Sequence, residues 1–73
     1  MGTKNDPGKF DCYAKLAPNE PYFVLRAQDR TASYVVEAWV KAAAANGCPP
    51  AKLDSARRVA TAMRKYQPMK SPD

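Results

Sequence analysis

The chain predicts a mainly α fold: an antiparallel helical hairpin, preceded by a short helical turn and an extended or single-strand segment, in a protein expected to oligomerise. Three observations carry this reading. Apolar residues recur at helical spacing in two stretches, about 30–46 and 50–66. Between them lie an Asn46-Gly47 stop and a Cys48-Pro49-Pro50 corner. A single run, Tyr22 to Gln28, is aromatic and β-branched, so a strand there has no second strand in the chain to pair with.

The elements follow in order. Residues 1–9 contain Gly2, Asp6, Pro7 and Gly8 without periodicity, and read as a flexible tail. One small domain covers 10–67, and a second flexible tail covers 68–73. Phe10, Tyr13 and Leu16 stand three apart, which suits one helical turn. Ala17-Pro18-Asn19-Glu20-Pro21 reads as a turn, because each proline biases its predecessor away from the helical region. In Tyr22 to Gln28, alternation places Tyr22, Val24 and Arg26 on one face and Phe23 and Leu25 on the other. The backbone of that run must be satisfied. It either pairs with the same strand of another subunit or lies extended across the helices.

Asp29 is the expected N-cap of the first helix, its carboxylate accepting from free N–H groups. That helix is predicted from about Arg30 to Asn46. Ala32, Val35, Val36, Trp39, Val40 and Ala43 form its inward face, with Trp39 in the core. Ser33, Glu37 and Lys41 form the opposite stripe, where Glu37 and Lys41 make an i,i+4 pair worth ~0.3 kcal/mol. Asn46-Gly47 supplies the left-handed stop. Pro50 suits the first position of the second helix, predicted to run to about Tyr66. Leu53, Ala56, Val59, Ala60 and Met63 face inward; Arg57, Arg58, Thr61, Arg64 and Lys65 face out. A link this short makes the helices antiparallel neighbours.

Composition sets the limits on function. The chain has 73 residues and 45% hydrophobic content, much of it alanine. Domains below roughly 70–80 residues usually need a staple or a partner, so a homo-oligomer is expected. There is no histidine, which excludes a histidine triad and a histidine metal site. Cys12 and Cys48 lie outside any Cys-x-x-Cys pair and cannot supply four zinc ligands. They are expected as reduced thiols, with one disulfide or an intersubunit bridge as the alternative.

Ser33, Ser55 and Ser71 have no base to activate them. The three glycines form no phosphate loop, and the carboxylates form no recognisable acid/base pair. The expectation is a protein that is not an enzyme and uses no cofactor or metal. No apolar run approaches the ~20 residues of a membrane span. The polar N-terminus lacks an apolar leader, and Asp6 stands where N-myristoylation needs Ser or Thr. A cytoplasmic protein is expected.

Charge is unevenly placed. The net charge is +5, yet residues 1–51 hold six cations against five anions. Residues 52–70 hold six cations against Asp54 alone. The second helix is thus a basic stripe, and Arg57, Arg58, Arg64 and Lys65 are candidate nucleic-acid contacts. The plainer reading is a solvated face, with Arg64 and Lys65 complementing the helix dipole.

A second basic point lies where Arg26 and Arg30 flank the start of the first helix. Helix N-termini favour anions. Tyr22, Phe23 and Tyr34 are near in sequence and suit stacking on a base. Arg26, Arg30, Tyr22 and Tyr34 are therefore the candidate site for an anionic nucleotide-type small ligand. The plainer reading makes Phe23 core, lets Asp29 fill the cap, and pairs Arg26 with Glu20 or Asp29. A third possibility is a protein-interaction module. Its Tyr22–Gln28 strand would extend a partner's sheet, or its basic face would dock on an acidic host protein.

The strings Asp11-Cys12-Tyr13-Ala14 and Asn19-Glu20-Pro21-Tyr22-Phe23-Val24-Leu25-Arg26-Ala27-Gln28-Asp29 are similar to a family of small proteins of bacteria, prophages and phages. Members carry an acidic residue, Glu-Pro, a hydrophobic, Phe-Val-Leu and a polar segment ending in Asp. Two helices follow, the first with a Trp and the second Ala-rich and basic. Trp39 and Ala56 to Ala62 match that outline, and the resemblance covers about residues 11–67. It departs at Arg30, where the family commonly has proline. The resemblance implies a context: small phage proteins without catalytic groups often inhibit host defence, by sequestering nucleotide signals in oligomer pockets or by blocking nucleic-acid surfaces. The expected function is thus a phage-type counter-defence binding protein in the cytoplasm of a bacterial host.

Overall fold

A computed structural model of the chain describes residues 1–70. A single 3-10 turn, Tyr13–Lys15, is followed by two α-helices, α1 (Ala32–Ala45) and α2 (Pro50–Lys65). They pack on each other as the predicted hairpin, each a residue or two shorter at its ends than expected.

The hairpin turns where the sequence places its breakers. Gly47 adopts φ 82, a conformation costly for any residue with a Cβ. Its N–H donates to the Ala44 carbonyl at 3.2 Å, and the Cys48 N–H reaches back to Ala43 at 3.0 Å. These two bonds form a Schellman stop and satisfy carbonyls the ended helix leaves orphaned. Pro50 then opens α2, where a missing N–H costs nothing.

The core is small and built on alanine. Among the described residues the buried hydrophobics are Ala32, Val40, Leu53, Ala56 and Ala60, and both Ala32 and Ala56 are 0% exposed. Val36, Ala43, Cys48 and Met1 pack half-buried against the cluster of Val40, Leu53 and Ala56. Alanine at a helix crossing allows close approach and leaves no room for a large ring.

This corrects the expectation that Trp39 is core: it is 41% exposed, and Val35 is exposed as well. The buried arc of α1 runs through Ala32, Val36, Val40 and Ala43 and includes Ser33, which had been placed outward. Trp39 sits on the flank of the seam, with Lys52 Nζ of α2 6.0 Å from its ring centroid. A cation over an exposed indole contributes ~0.5–1 kcal/mol.

Three further expectations are revised. Asp29 is not the N-cap of α1; Thr31 holds that position. Asp29 instead closes the turn just before the helix, its Oδ1 accepting from the Thr31 N–H at 2.8 Å and the Thr31 hydroxyl at 2.7 Å. Glu37 forms its ion pair with Arg64 of α2 rather than with Lys41, tying the helices across the seam. Phe23 is not core but 83% exposed.

No strand forms among the described residues. Tyr22 to Gln28 runs irregularly, with Leu25 half-buried and Tyr22 edge-on to Tyr13 at 5.8 Å. The preceding turn forms as predicted: the Glu20 N–H donates to Ala17 O at 3.1 Å, and the Glu20 carboxylate accepts the Ala17 N–H at 3.0 Å.

The first and last described residues both make long-range contacts. Met1 packs on the core cluster, and its ammonium donates to Pro7 O at 3.2 Å. Lys70 forms an isolated parallel bridge with Asp29. Its N–H donates to Gln28 O at 2.8 Å, and its carbonyl accepts the Arg30 N–H at 2.9 Å. The domain boundaries expected at 10 and 67 leave out these contacts, while 71–73 of the expected C-terminal tail lie outside the described residues.

If close approach at the seam holds the hairpin, Ala56→Leu destabilises by about 1–3 kcal/mol through overpacking. Ala62→Leu, on the exposed side of α2, changes stability by no more than about 0.5 kcal/mol. Thermal unfolding followed by circular dichroism measures both; equal midpoints would refute the close seam.

Candidate phosphate-binding surfaces

Two basic surfaces emerge, one around the start of α1 and one on the outer face of α2. The first surrounds the start of α1. The Asp29 N–H donates to Arg26 O at 2.9 Å, closing a tight turn that folds Arg26 back toward Arg30. Both arginines are exposed, as are Tyr22 and Tyr34, the latter by 67%. No ion pair joins Arg26 to Glu20 or Asp29 among the described residues. Glu20 is used by the Ala17 turn and Asp29 by Thr31, so both arginine side chains stay available to an anion.

The N–H groups leading into the helix and at its first residue are already used. The Arg30 N–H is taken by Lys70 O, the Thr31 N–H by Asp29 Oδ1, and the Ala32 N–H by Asp29 O at 3.1 Å. The sequence reading missed Lys70, whose backbone the parallel bridge sets beside 28–30. Its place in a proline-flanked terminal segment gave no local signal of that contact.

Electrostatics at this turn are set by Asp29. The Thr31 hydroxyl, then the Thr31 N–H, hold its carboxyl below the ordinary value near 3.8, while desolvation acts in the other direction. Hydrogen bonds to the charged form explain the sign.

The second surface is the outer face of α2. An open groove of about 450 Å³ is lined by Arg57, Arg58, Thr61, Ala62 and Lys65. A further open groove of about 680 Å³ lies against α1, between Glu37 and Lys41 on one side and Arg57, Thr61 and Arg64 on the other. Arg57 pairs with Asp54 at 3.0 Å, one helical turn away, and Arg64 pairs with Glu37. Arg58 and Lys65 have no ion pair among the described residues. Exposed pairs of this kind are worth 0 to ~1 kcal/mol, so a phosphate competes for the paired arginines too. None of Arg26, Arg30, Tyr22 and Tyr34 lines either groove.

No group of three or more His, Cys, Asp or Glu side chains among the described residues can hold a metal. Cys12 is an exposed free thiol and Cys48 a half-buried one. No helix among them is long and apolar enough to cross a membrane. No protein-family model, curated protein or solved structure matches this chain.

The Asp29 turn is directly testable. Its depressed folded-state pKa contributes stability that is present above the ordinary carboxyl value and is lost as pH falls through the folded value. Thr31→Val removes the main hydrogen-bond donor and raises the Asp29 pKa toward 3.8. Carboxyl chemical shifts followed through an acid titration read the change; identical curves for both proteins would show that the Thr31 hydroxyl does not act on Asp29.

Proposed function

We propose that the protein is a small non-enzymatic binding protein that takes an anionic nucleotide-type ligand in a pocket completed by a second copy of the chain. The observation that carries this is the exposure of Arg26 and Arg30 together with Tyr22, Phe23, Val24 and Tyr34, in a chain whose buried hydrophobics among the described residues are mostly alanine. Exposed apolar clusters of this kind mark interaction sites, and a second subunit that covers them also adds the core the monomer lacks. Guanidinium groups bind phosphate bidentately, and aromatic faces stack on a base. Together, Arg26, Arg30, Tyr22 and Tyr34 supply both halves of nucleotide recognition without any group for catalysis. The resemblance of residues 11–67 to small phage proteins adds the biological setting: a counter-defence protein that withholds a nucleotide signal from the host.

A second reading is favoured by a different observation. Arg57, Arg58 and Lys65 line one groove on α2, and Arg58 and Lys65 carry no ion pair among the described residues. That face suits the phosphate backbone of a nucleic acid. The two readings use different arginines, so one experiment separates them. Arg26→Glu with Arg30→Glu abolishes the heat of binding in calorimetric titrations with cyclic and linear nucleotides, whereas Arg58→Glu with Lys65→Glu leaves it within about twofold. Native mass spectrometry of the unaltered chain shows an oligomer. A monomer that gives no heat with any nucleotide at micromolar concentration would sink the first reading.

A further inference from the structure

Resting on the second reading above, we propose that α2 lies in the major groove of duplex DNA, with cations on both of its sides facing the two phosphate walls. The inference comes from how the cations are spaced. Arg57 and Arg64 stand seven residues apart, and so do Arg58 and Lys65. Seven residues are two helical turns, so each pair forms a row, its members about 10.5 Å apart along the axis. Adjacent residues on a helix differ by about 100° in direction, so the two rows diverge. Thr61 lies between them, with Ala62 beside it.

A flat or weakly curved polyanion is met by one row. Two diverging rows with the small Thr61 between them fit a concave site whose walls both carry phosphate. The B-DNA major groove, about 12 Å wide, admits a helix. The same groove in duplex RNA is deep and narrow and does not. α2 packs on α1 through Leu53, Ala56 and Ala60, beside the Arg57–Arg64 row, and leaves Arg58, Thr61 and Lys65 exposed. Arg57 and Arg64 exchange Asp54 and Glu37 for phosphate on one wall, while Arg58 and Lys65 meet the other directly.

The test is fluorescence anisotropy with the full chain and three probes of one sequence at one salt concentration: a DNA duplex of about 20 base pairs, the matching RNA duplex, and the single DNA strand. The DNA duplex binds at least tenfold tighter than the RNA duplex. Thr61→Trp, which adds bulk at an exposed position and leaves the charge unchanged, lowers DNA-duplex affinity at least tenfold. Equal affinity for the two duplexes would overturn the major-groove placement while the phosphate reading of α2 stood. DNA-duplex affinity unmoved by Thr61→Trp would do the same. Failure to bind any probe, or binding unmoved by Arg58→Glu with Lys65→Glu, would overturn both.

Discussion

The rest of the molecule depends on the seam between the helices, where Val40 packs with Leu53 and Ala56. The crossing holds little side chain, and no aromatic residue is buried between the helices among the described residues. Trp39, the largest side chain of α1, is displaced to the flank and finds Lys52 there. The same packing brings Glu37 within reach of Arg64, so an ion pair spans the helices. Little side chain at the seam also means a small core. Fully burying a side chain such as Val or Leu contributes ~1.5–3 kcal/mol, and only Val40 and Leu53 bury that much here. The aromatic residues that would enlarge the core lie outside it.

The first and last described residues both make long-range contacts around that hairpin. Met1 packs on the core cluster. Lys70 closes a two-bond bridge on residues 28–30, in front of α1. The start of α1 is thus held by Asp29 on one side and the Lys70 backbone on the other.

What could be read from the sequence was what local chemistry decides. Asn46-Gly47 and Pro50 fix the hairpin turn through φ and a missing donor, and both work as expected. The outward cations of α2 follow from helical periodicity and are found exposed, as are Arg26, Arg30, Tyr22 and Tyr34. Legibility failed where distant segments compete for a group. Periodicity places Trp39 and Val35 on an apolar face, but the alanines of α2 determine how wide the buried arc is. Propensity makes Tyr22–Gln28 a strand, but a strand needs a partner, and within the described residues the one bridge falls at Asp29 instead. Asp29 has the chemistry of a cap; Thr31, two residues on, takes the cap position and turns the carboxylate into a turn closure. The pull of Lys70 on residues 28–30 is long-range, and no pattern in residues 68–73 announces it.

Charge separates the two surfaces and orders them in any assembly. Residues 52–70 concentrate six cations against one carboxylate, whereas residues 1–51 are nearly balanced. Two α2 faces brought together would repel, because like charges at close range cost energy even when partly screened. Self-association through the balanced part of the chain meets no such penalty. That part holds Phe23, Tyr34, Tyr13, Val24 and Tyr22, the most exposed large hydrophobics among the described residues. An oligomer built there buries aromatic surface around Arg26 and Arg30 and leaves each α2 facing outward. The two proposed activities are therefore compatible in one assembly: a ligand pocket where subunits meet, and basic helices displayed on its exterior.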